Sequence, residues 1–475
     1  MSALSNARWI SLAQTVRIVS QLVSMAVLAR LLPPKAYGLM AMATVVTNLA
    51  GLFRDMGTGA AVIQKKELSQ ATTSTVFWLN LIIGTIVALA MVLSSPVVAL
   101  GFHEPELTAI LCVLAVVFPV SSLGIVPQAL LERESRFSVV ARIEITSAFT
   151  ALAAALIFAW QGWGVYSLVL QVPVYSTVST VQLWFASRWR PALQWHAEEF
   201  RLILGFSANL SLFQFINYFS RNADSLIIGR LLGAAPLGVY SLAYRVMLYP
   251  LQNLTFVISR ALFPVMSRQQ DSPGEMANLY LKSVTFIAFI TAPLMAGLWV
   301  LREPFVEVVF GPKWKEVASV LTWLAPVGFI QSIVSSTGTI FMATGRTHVM
   351  MKLGILGACL LVTSFLIGIQ WGIEGLAACY LLANAMNAVP AVMLAGRTIG
   401  LRAKDFFKGI WLPIALAFAM ALFLRWILSI LPADGYGELL RLLALSFLGA
   451  VIYLLSARLL RMPQLVHLTS FVLLR

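Results

Sequence analysis

Three arginines fall inside apolar stretches of the sequence that are long enough to cross a membrane. These are Arg17, Arg221 and Arg245. An arginine at the middle of a membrane helix costs roughly 2.5–3.5 kcal/mol unless it faces water or a polar cavity. The guanidinium offers a fixed fork of donors that matches phosphate oxygens. The three arginines therefore predict a binding site for a phosphate-bearing anion.

Polar side chains accompany the arginines at helical spacing. Gln14, Arg17 and Gln21 occur at i, i+3 and i+7, so they share one helix face. A similar polar pattern recurs two hundred residues later, and Tyr249 follows Arg245 by one turn. We predict that the substrate-binding residues are Arg17, Arg221, Arg245, Gln14, Gln21, Gln214, Asn217 and Tyr249.

A few carboxylates also lie within apolar runs. Asp55, Asp224 and Glu144 are candidates for binding a coupling Na+ or H+. Salt bridges are an equally good interpretation, because Asp55 adjoins Arg54 and Asp224 lies one turn after Arg221. The scarcity of such carboxylates disfavours a cation as the main substrate.

The sequence shows no constellation for catalysis or metal binding. The three cysteines, at 112, 359 and 379, lie in apolar runs without a CxxC spacing. The four histidines are far apart and adjoin loops. We therefore predict no catalytic residue, no cofactor, no metal and no enzyme activity.

The composition excludes a soluble protein. The chain has 475 residues, of which 60% are hydrophobic and 11% are charged. Soluble domains are about 45–50% apolar and about 25% charged. So few charges cannot cover the surface of a soluble chain of this length. We predict an all-α, polytopic membrane protein with lipid around most of its surface.

Apolar runs separated by charged, proline and glycine clusters predict about fourteen transmembrane helices. Their predicted limits are 8–31, 37–62, 76–100, 107–131, 137–160, 163–186, 204–232, 236–264, 282–301, 316–342, 348–369, 373–396, 408–430 and 439–460. All the predicted loops are short. This disfavours a membrane polysaccharide polymerase or ligase, which would need a catalytic loop.

The basic residues concentrate in alternate loops, and the acids concentrate in the others. Because Lys and Arg mark cytoplasmic loops, this asymmetry predicts that both termini are cytoplasmic. Most of the net charge of +14 then serves to set the orientation of the chain in the membrane. No basic patch accompanies a soluble recognition element, so we predict no nucleic-acid partner.

An internal repeat relates the two halves of the chain. Residues 30–43 (RLLPPKAYGLMAMA) resemble residues 230–243 (RLLGAAPLGVYSLA), with arginine, leucine and glycine at matching places. The repeat predicts two parallel six-helix lobes, 1–200 and 201–400, around a central cleft, followed by two further helices in 401–475. Rocking of such lobes gives alternating access, which favours transport.

Three segments carry a family resemblance. RLLPPKAYG at 30–38, LFRDMGTGAAVIQ at 52–64 and LLERESRF at 130–137 resemble the polysaccharide-transporter branch of the multidrug/oligosaccharidyl-lipid/polysaccharide exporter superfamily. Within that branch the chain is most similar to Wzx-type flippases of the colanic-acid and succinoglycan exporter kind.

The resemblance implies a flippase of the bacterial inner membrane. Its substrate would be an oligosaccharide repeat unit on undecaprenyl pyrophosphate, used for exopolysaccharide, capsule or O-antigen assembly. The cationic cavity of the family would correspond to Arg17, Arg221 and Arg245. Membrane lipids, a polysaccharide polymerase and chain-length machinery would be its partners. The Arg-Asp pair in helix 1 of lipid II flippases is absent, because Ile18 follows Arg17; this disfavours a peptidoglycan precursor.

A drug/cation antiporter of the same superfamily remains the alternative, and a membrane polymerase or ligase is a more distant one.

Overall fold

The structure is a computed structural model that describes residues 3–54, 58–64, 68–193, 218–219, 221–270, 272–430 and 437–465. Every regular element among these residues is helical. The predicted all-α class is therefore confirmed for the described part of the chain. The predicted residues Asp55, Gln214 and Asn217 lie outside it.

The chain divides into two compact units, Met1–Gly238 and Val239–Arg475. The first contains nine helices among its described residues: α1 Ala3–Leu31, α2 Pro34–Arg54, α3 Thr58–Gln64, α4 Gln70–Phe102, α5 Glu106–Ala115, α6 Val117–Arg133, α7 Phe137–Trp160, α8 Val165–Ser187 and α9 at 221–231. The predicted lobes of 1–200 and 201–400 with an appended 401–475 stay a prediction.

Helix α10 (Ala234–Pro250) begins in the first unit and continues into the second. The remaining described helices are α11 Phe256–Arg268, α12 Pro273–Val309, α13 Lys315–Val334, α14 Thr337–Ala343, α15 Thr347–Gly368, α16 Gly372–Thr398, α17 Ala403–Ile430 and α18 Glu438–Leu459. Short 3-10 turns at Pro312–Trp314 and Ile369–Trp371 precede α13 and α16.

Several predicted runs are interrupted in the structure. The run 107–131 consists of α5 and α6, which meet at Val116. The run 236–264 is broken by a π-helical turn at Leu251–Thr255, directly after Pro250. Proline removes a backbone donor and clashes with the preceding turn, so the hydrogen-bond ladder shifts register there.

Nine candidate membrane spans are found among the described residues by length and composition. One of them, Thr347–Thr398, combines α15 and α16, which the sequence predicts as two crossings. The nine spans confirm a multi-pass membrane protein, while the number fourteen stays a prediction.

Several buried hydroxyl groups are satisfied within their own helices. Thr75 donates to the carbonyl of Ala71 at 2.9 Å, Thr291 donates to Ile287 at 2.8 Å, and Ser332 donates to Gly328 at 2.7 Å. Serine and threonine can bond the carbonyl one turn back, so they enter an apolar interior without an unpaired donor.

Tryptophans fix one end of the first unit. The indole N–H of Trp184 donates to the carbonyl of Leu123 at 2.8 Å, and that of Trp78 donates to Ala192 at 2.9 Å. The ring of Phe77 packs edge-on against Trp78 and Trp184. An indole combines an apolar body with one donor, which suits the boundary between lipid and water.

Charged residues join helix ends elsewhere in the first unit. Lys35 Nζ lies 2.8 Å from Glu106 Oε1 and 3.6 Å from Glu104 Oε2. Arg230 donates to the carbonyl of Gly101, at the end of α4. These contacts therefore bring four helix ends together: the beginnings of α2 and α5 and the ends of α4 and α9.

In the second unit, α12 packs against α13, α17 and α18. An apolar cavity of about 420 Å³ lies between α12, α17 and α18. Its lining includes Phe289, Leu298, Leu424 and Leu454, and it reaches the side chain of Tyr453. The hydroxyl of Tyr453 donates to the carbonyl of Phe289 at 3.0 Å.

Candidate functional site

Arg17 lies in the middle of α1 and is exposed. Its Nη2 donates to Gln14 Oε1 at 2.5 Å, one turn earlier. Gln21, one turn later on the same face, is also exposed. The spacing predicted from the sequence thus presents two amides and one guanidinium together on a single helix.

The fold brings a carboxylate toward Arg17. Glu144 on α7 is half-buried and interacts electrostatically with Arg17. Tyr175 on α8 interacts electrostatically with both charges. This is possible because α1 packs on α7, and α7 packs on α8. The sequence places no acid within one turn of Arg17, and the tertiary structure supplies one from another helix.

The two charges interact without direct contact. No carboxylate oxygen of the described residues lies within 4 Å of the Arg17 guanidinium. Further along α1, Gln171 Nε2 of α8 donates to Ser24 Oγ at 3.5 Å. One face of α1 therefore carries polar groups over several turns, and its Ser24 contacts α8.

Arg221 and Asp224 occupy different environments on α9. Arg221 is exposed, whereas Asp224 is only 4% exposed. Asp224 Oδ1 accepts a hydrogen bond from the amide of Ser225 at 2.6 Å. Just before α9, the hydroxyl of Tyr218 donates to the carbonyl of Val45 and ties this segment to α2. Arg221 thus presents its charge at an accessible surface of the first unit.

Arg245 and Tyr249 lie on α10, in the second unit. Arg245 is exposed and Tyr249 is half-buried. The Tyr249 hydroxyl is buried without a hydrogen-bond partner among the described residues. Asn253, in the π-helical turn that follows, donates to the carbonyl of Tyr249 at 2.9 Å. Such turns recur at functional sites because they re-aim side chains.

A second polar cluster was missed by the sequence reasoning. Gln331 of α13 contacts Tyr380 and Asn384 of α16, and Tyr244 of α10 lies beside Tyr380. The sequence feature that could have indicated this cluster is the i, i+4 spacing of Tyr380 and Asn384 within an otherwise apolar run. Gln331 carries no such signal, because it is a single amide in its helix.

The arrangement in the first unit suits an anion. Arg17 and Arg221 are exposed cations within or beside apolar helices, and amide side chains flank Arg17. Among the described residues, no group of three or more His, Cys, Asp or Glu is placed to hold a metal ion. Guanidinium and amide donors together bind phosphate oxygens and sugar hydroxyls.

The profile of the polysaccharide biosynthesis protein family matches residues 27–319. The chain belongs to this family. The family resemblance expected from the three sequence segments is thereby confirmed, and polysaccharide assembly becomes the context in which the site is interpreted.

Individual relatives match over most of their length. The chain is 29% identical to the lipopolysaccharide biosynthesis protein WzxC of Escherichia coli (strain K12), over 87% of this chain and 85% of the relative. It is 27% identical to the succinoglycan biosynthesis transport protein ExoT of Rhizobium meliloti (strain 1021), over 94% and 91% of the two chains.

A solved structure shares the fold. The lipid II flippase MurJ, in its inward closed conformation, matches with a TM-score of 0.74 at 14% identity, covering 95% of this chain and 98% of that one. At this identity the likeness concerns the fold alone.

Proposed function

We propose that the chain is a flippase that moves undecaprenyl-pyrophosphate-linked oligosaccharide repeat units across the bacterial inner membrane. The observation that carries the proposal is Arg17, an exposed guanidinium in the middle of α1 with Gln14 and Gln21 on the same face. A polysaccharide biosynthesis protein with such a cation inside its helices is suited to a lipid carrier whose head group is a pyrophosphate.

The mechanism follows from solvation. A glycan carries many hydroxyl groups, and taking each from water into hydrocarbon without a hydrogen bond is strongly unfavourable. The chain would instead provide a hydrated path lined by polar side chains, while the isoprenoid tail stays in the lipid. Arg17, Arg221 and Arg245 would hold the pyrophosphate.

The larger arrangement belongs to the same proposal. Fourteen helices in two six-helix lobes plus two, with both termini in the cytoplasm, would give alternating access from the cytoplasmic to the periplasmic leaflet. A polysaccharide polymerase and chain-length machinery would take up the product.

Reconstitution tests the proposed function directly. The purified full chain is placed in liposomes with a fluorescent undecaprenyl pyrophosphate that carries a neutral trisaccharide. We expect the label to become accessible to a membrane-impermeant quencher faster than in empty liposomes. Failure to move this lipid, combined with efflux of a cationic dye driven by a Na+ or H+ gradient, would favour the antiporter. Formation of longer glycans in the same liposomes would instead establish a polymerase.

We further propose Glu144 as a coupling carboxylate. Its charge interacts with Arg17, so it competes with a pyrophosphate for the same guanidinium. Glu144 also interacts electrostatically with Glu132 of α6 and Tyr175 of α8. Protonation of Glu144 removes the competitor, so binding of the lipid pyrophosphate should strengthen as the pH falls.

Glu144→Gln is expected to remove this pH dependence. Between pH 8 and pH 6 the affinity of the variant for undecaprenyl pyrophosphate should change less than that of the wild type, since the lipid's own titration affects both proteins equally. The affinities are measured at both pH values in detergent. Glu134→Gln is the matched control, since Glu134 pairs with Arg136 at 3.4 Å. An unchanged pH profile in Glu144→Gln would reject this role.

A further inference from the structure

Basic side chains from five helices surround one end of the second unit, the end that the charge asymmetry predicts as cytoplasmic. They surround a buried apolar cluster to which Met266, Met276, Ala395 and Phe406 belong. Each basic residue lies within two positions in the chain of a member of that cluster or of a side chain packed on it. We call these exposed side chains the basic collar: Arg268, Lys282, Lys352, Arg397, Lys404 and Lys408.

The charges of the basic collar are not compensated within the described part of the chain. None of its side chains forms a hydrogen bond or an ion pair with another described residue. The described acids at this end are Glu275 and Asp405, which are exposed and lie more than 4 Å from every collar nitrogen. The collar therefore presents positive charge to whatever surrounds the protein.

Setting the orientation of the chain does not require this arrangement. Lysine and arginine set orientation by their presence on the cytoplasmic side, whether or not they bond to the protein. In the first unit, basic residues that are predicted on the same side do bond to it. Arg133 donates to the carbonyl of Val62 at 3.0 Å, and Arg190 donates to the carbonyl of Trp184 at 3.2 Å. The collar differs because all its donors remain available to an outside ligand.

The packing of α12 on α17 places two of the cations beside one helix contact. A Cβ at Gly409 of α17 would lie 2.9 Å from Leu281 Cδ1 of α12. Lys408 and Lys282 are the direct neighbours of these two residues in the chain. The two exposed lysines therefore flank a single close approach between helices, and a ligand lying along it is attracted by both charges.

Exposed aromatic rings accompany the cations on α17. Phe407 is 62% exposed and Trp411 is 55% exposed, and they follow Lys404 and Lys408 by three residues each. Both α12 and α17 are long and apolar enough to cross a membrane, and Lys282 lies more than two turns after the beginning of α12. Lysine stems lie along apolar surface while their ammonium groups reach the head-group region, where tryptophan is also enriched. This surface therefore suits lipid better than a soluble protein.

We propose that the basic collar binds the phosphate head groups of anionic phospholipids. The ammonium and guanidinium groups attract the phosphates, and the acyl chains pack on the exposed rings of Phe407 and Trp411. Clusters of basic residues beside a membrane span attract anionic lipids in this way. The inference is independent of the lipid-linked substrate, because it concerns the bilayer lipid around the second unit.

Quenching of Trp411 fluorescence in proteoliposomes tests the proposal. The full chain is placed in phosphatidylcholine vesicles in which a minor fraction of either phosphatidylglycerol or phosphatidylcholine carries a spin label near the head group. The contribution of Trp411 is the difference between each protein and its Trp411→Phe derivative. We expect a preference for phosphatidylglycerol of at least about fivefold, which Lys404→Gln/Lys408→Gln should reduce below about twofold. High salt should also reduce the wild-type preference, because it screens exposed charges.

Matched variants separate the collar from the net charge of the protein. Lys313→Gln/Lys315→Gln removes the same charge from two exposed lysines beyond the other end of α12, and it should leave the preference unchanged. Lys404→Arg/Lys408→Arg keeps the charge and should retain it. Equal quenching by both lipids in the wild type would overturn the proposal and favour an acidic soluble protein as the partner. An unchanged preference in Lys404→Gln/Lys408→Gln, or an equal loss in the Lys313→Gln/Lys315→Gln control, would also overturn it.

Discussion

Replacing Arg17 by alanine is expected to slow transport of the lipid-linked trisaccharide at least about tenfold in proteoliposomes. A hydrogen bond to a charged group contributes roughly 1.5–3 kcal/mol, and about 1.4 kcal/mol corresponds to a factor of ten. Arg17→Lys should retain part of the rate, because it keeps the charge but loses the fork that binds two oxygens. Insertion is checked by recovery of monodisperse protein.

A double variant distinguishes substrate binding from neutralisation of Glu144. If Arg17 only balanced that carboxylate, Arg17→Ala combined with Glu144→Gln would restore transport. We expect it to remain slow, because the pyrophosphate still lacks its donor. Arg425→Ala is the matched control, since Arg425 is an exposed arginine within the long apolar helix α17. Normal transport by Arg17→Ala, or full rescue by the double variant, would contradict the pyrophosphate site.

Gly38→Ala is expected to destabilise the protein strongly. A Cβ at Gly38 would lie 1.7 Å from the carbonyl oxygen of Ala234, which is a backbone atom. A Cβ at Gly238 would lie 1.9 Å from the carbonyl oxygen of Pro34. A backbone atom cannot turn aside as a side chain can, so the first turns of α2 and α10 must separate. Overpacking of this kind costs about 1–3 kcal/mol or more, and the unfolding midpoint in detergent should fall by roughly 1–3 °C or more.

Gly51→Ala gives the control on the same helix. Nothing lies within 4 Å of a Cβ at Gly51, so alanine there gains helix propensity of about 1 kcal/mol over glycine. The midpoint should stay or rise slightly, whereas Gly238→Ala should behave like Gly38→Ala. Equal midpoints for Gly38→Ala and Gly51→Ala would show that the close approach of α2 and α10 does not constrain stability.

The same glycines show how far the repeat could be interpreted from the sequence. Gly38 and Gly238 match in the repeat, and so do positions 34 and 234. In the structure the contact is reciprocal, since each glycine faces the residue that begins the other helix. The sequence reveals the equivalence of the positions, but a close approach between two backbones leaves no periodic signal that reveals it in advance.

Three sequence segments carried the family resemblance, while composition and spacing alone determined the all-helical membrane class and the shared helix face of Gln14, Arg17 and Gln21. These follow from local rules, because hydropathy and helical periodicity act between residues close in the chain. Helix limits were less well determined, since Pro250 and the junction at Val116 interrupt runs that hydropathy treats as continuous.

Only the tertiary structure decided which charges and polar groups meet. Glu144 comes to Arg17 from a helix more than a hundred residues away in the chain. The polar cluster of the second unit likewise draws its members from α10, α13 and α16, namely Tyr244, Gln331, Tyr380 and Asn384. Side chains on different helices meet according to how those helices pack, and packing depends on the shapes of many apolar side chains at once. Hydropathy records that these side chains are apolar, but it does not specify which helix faces interlock.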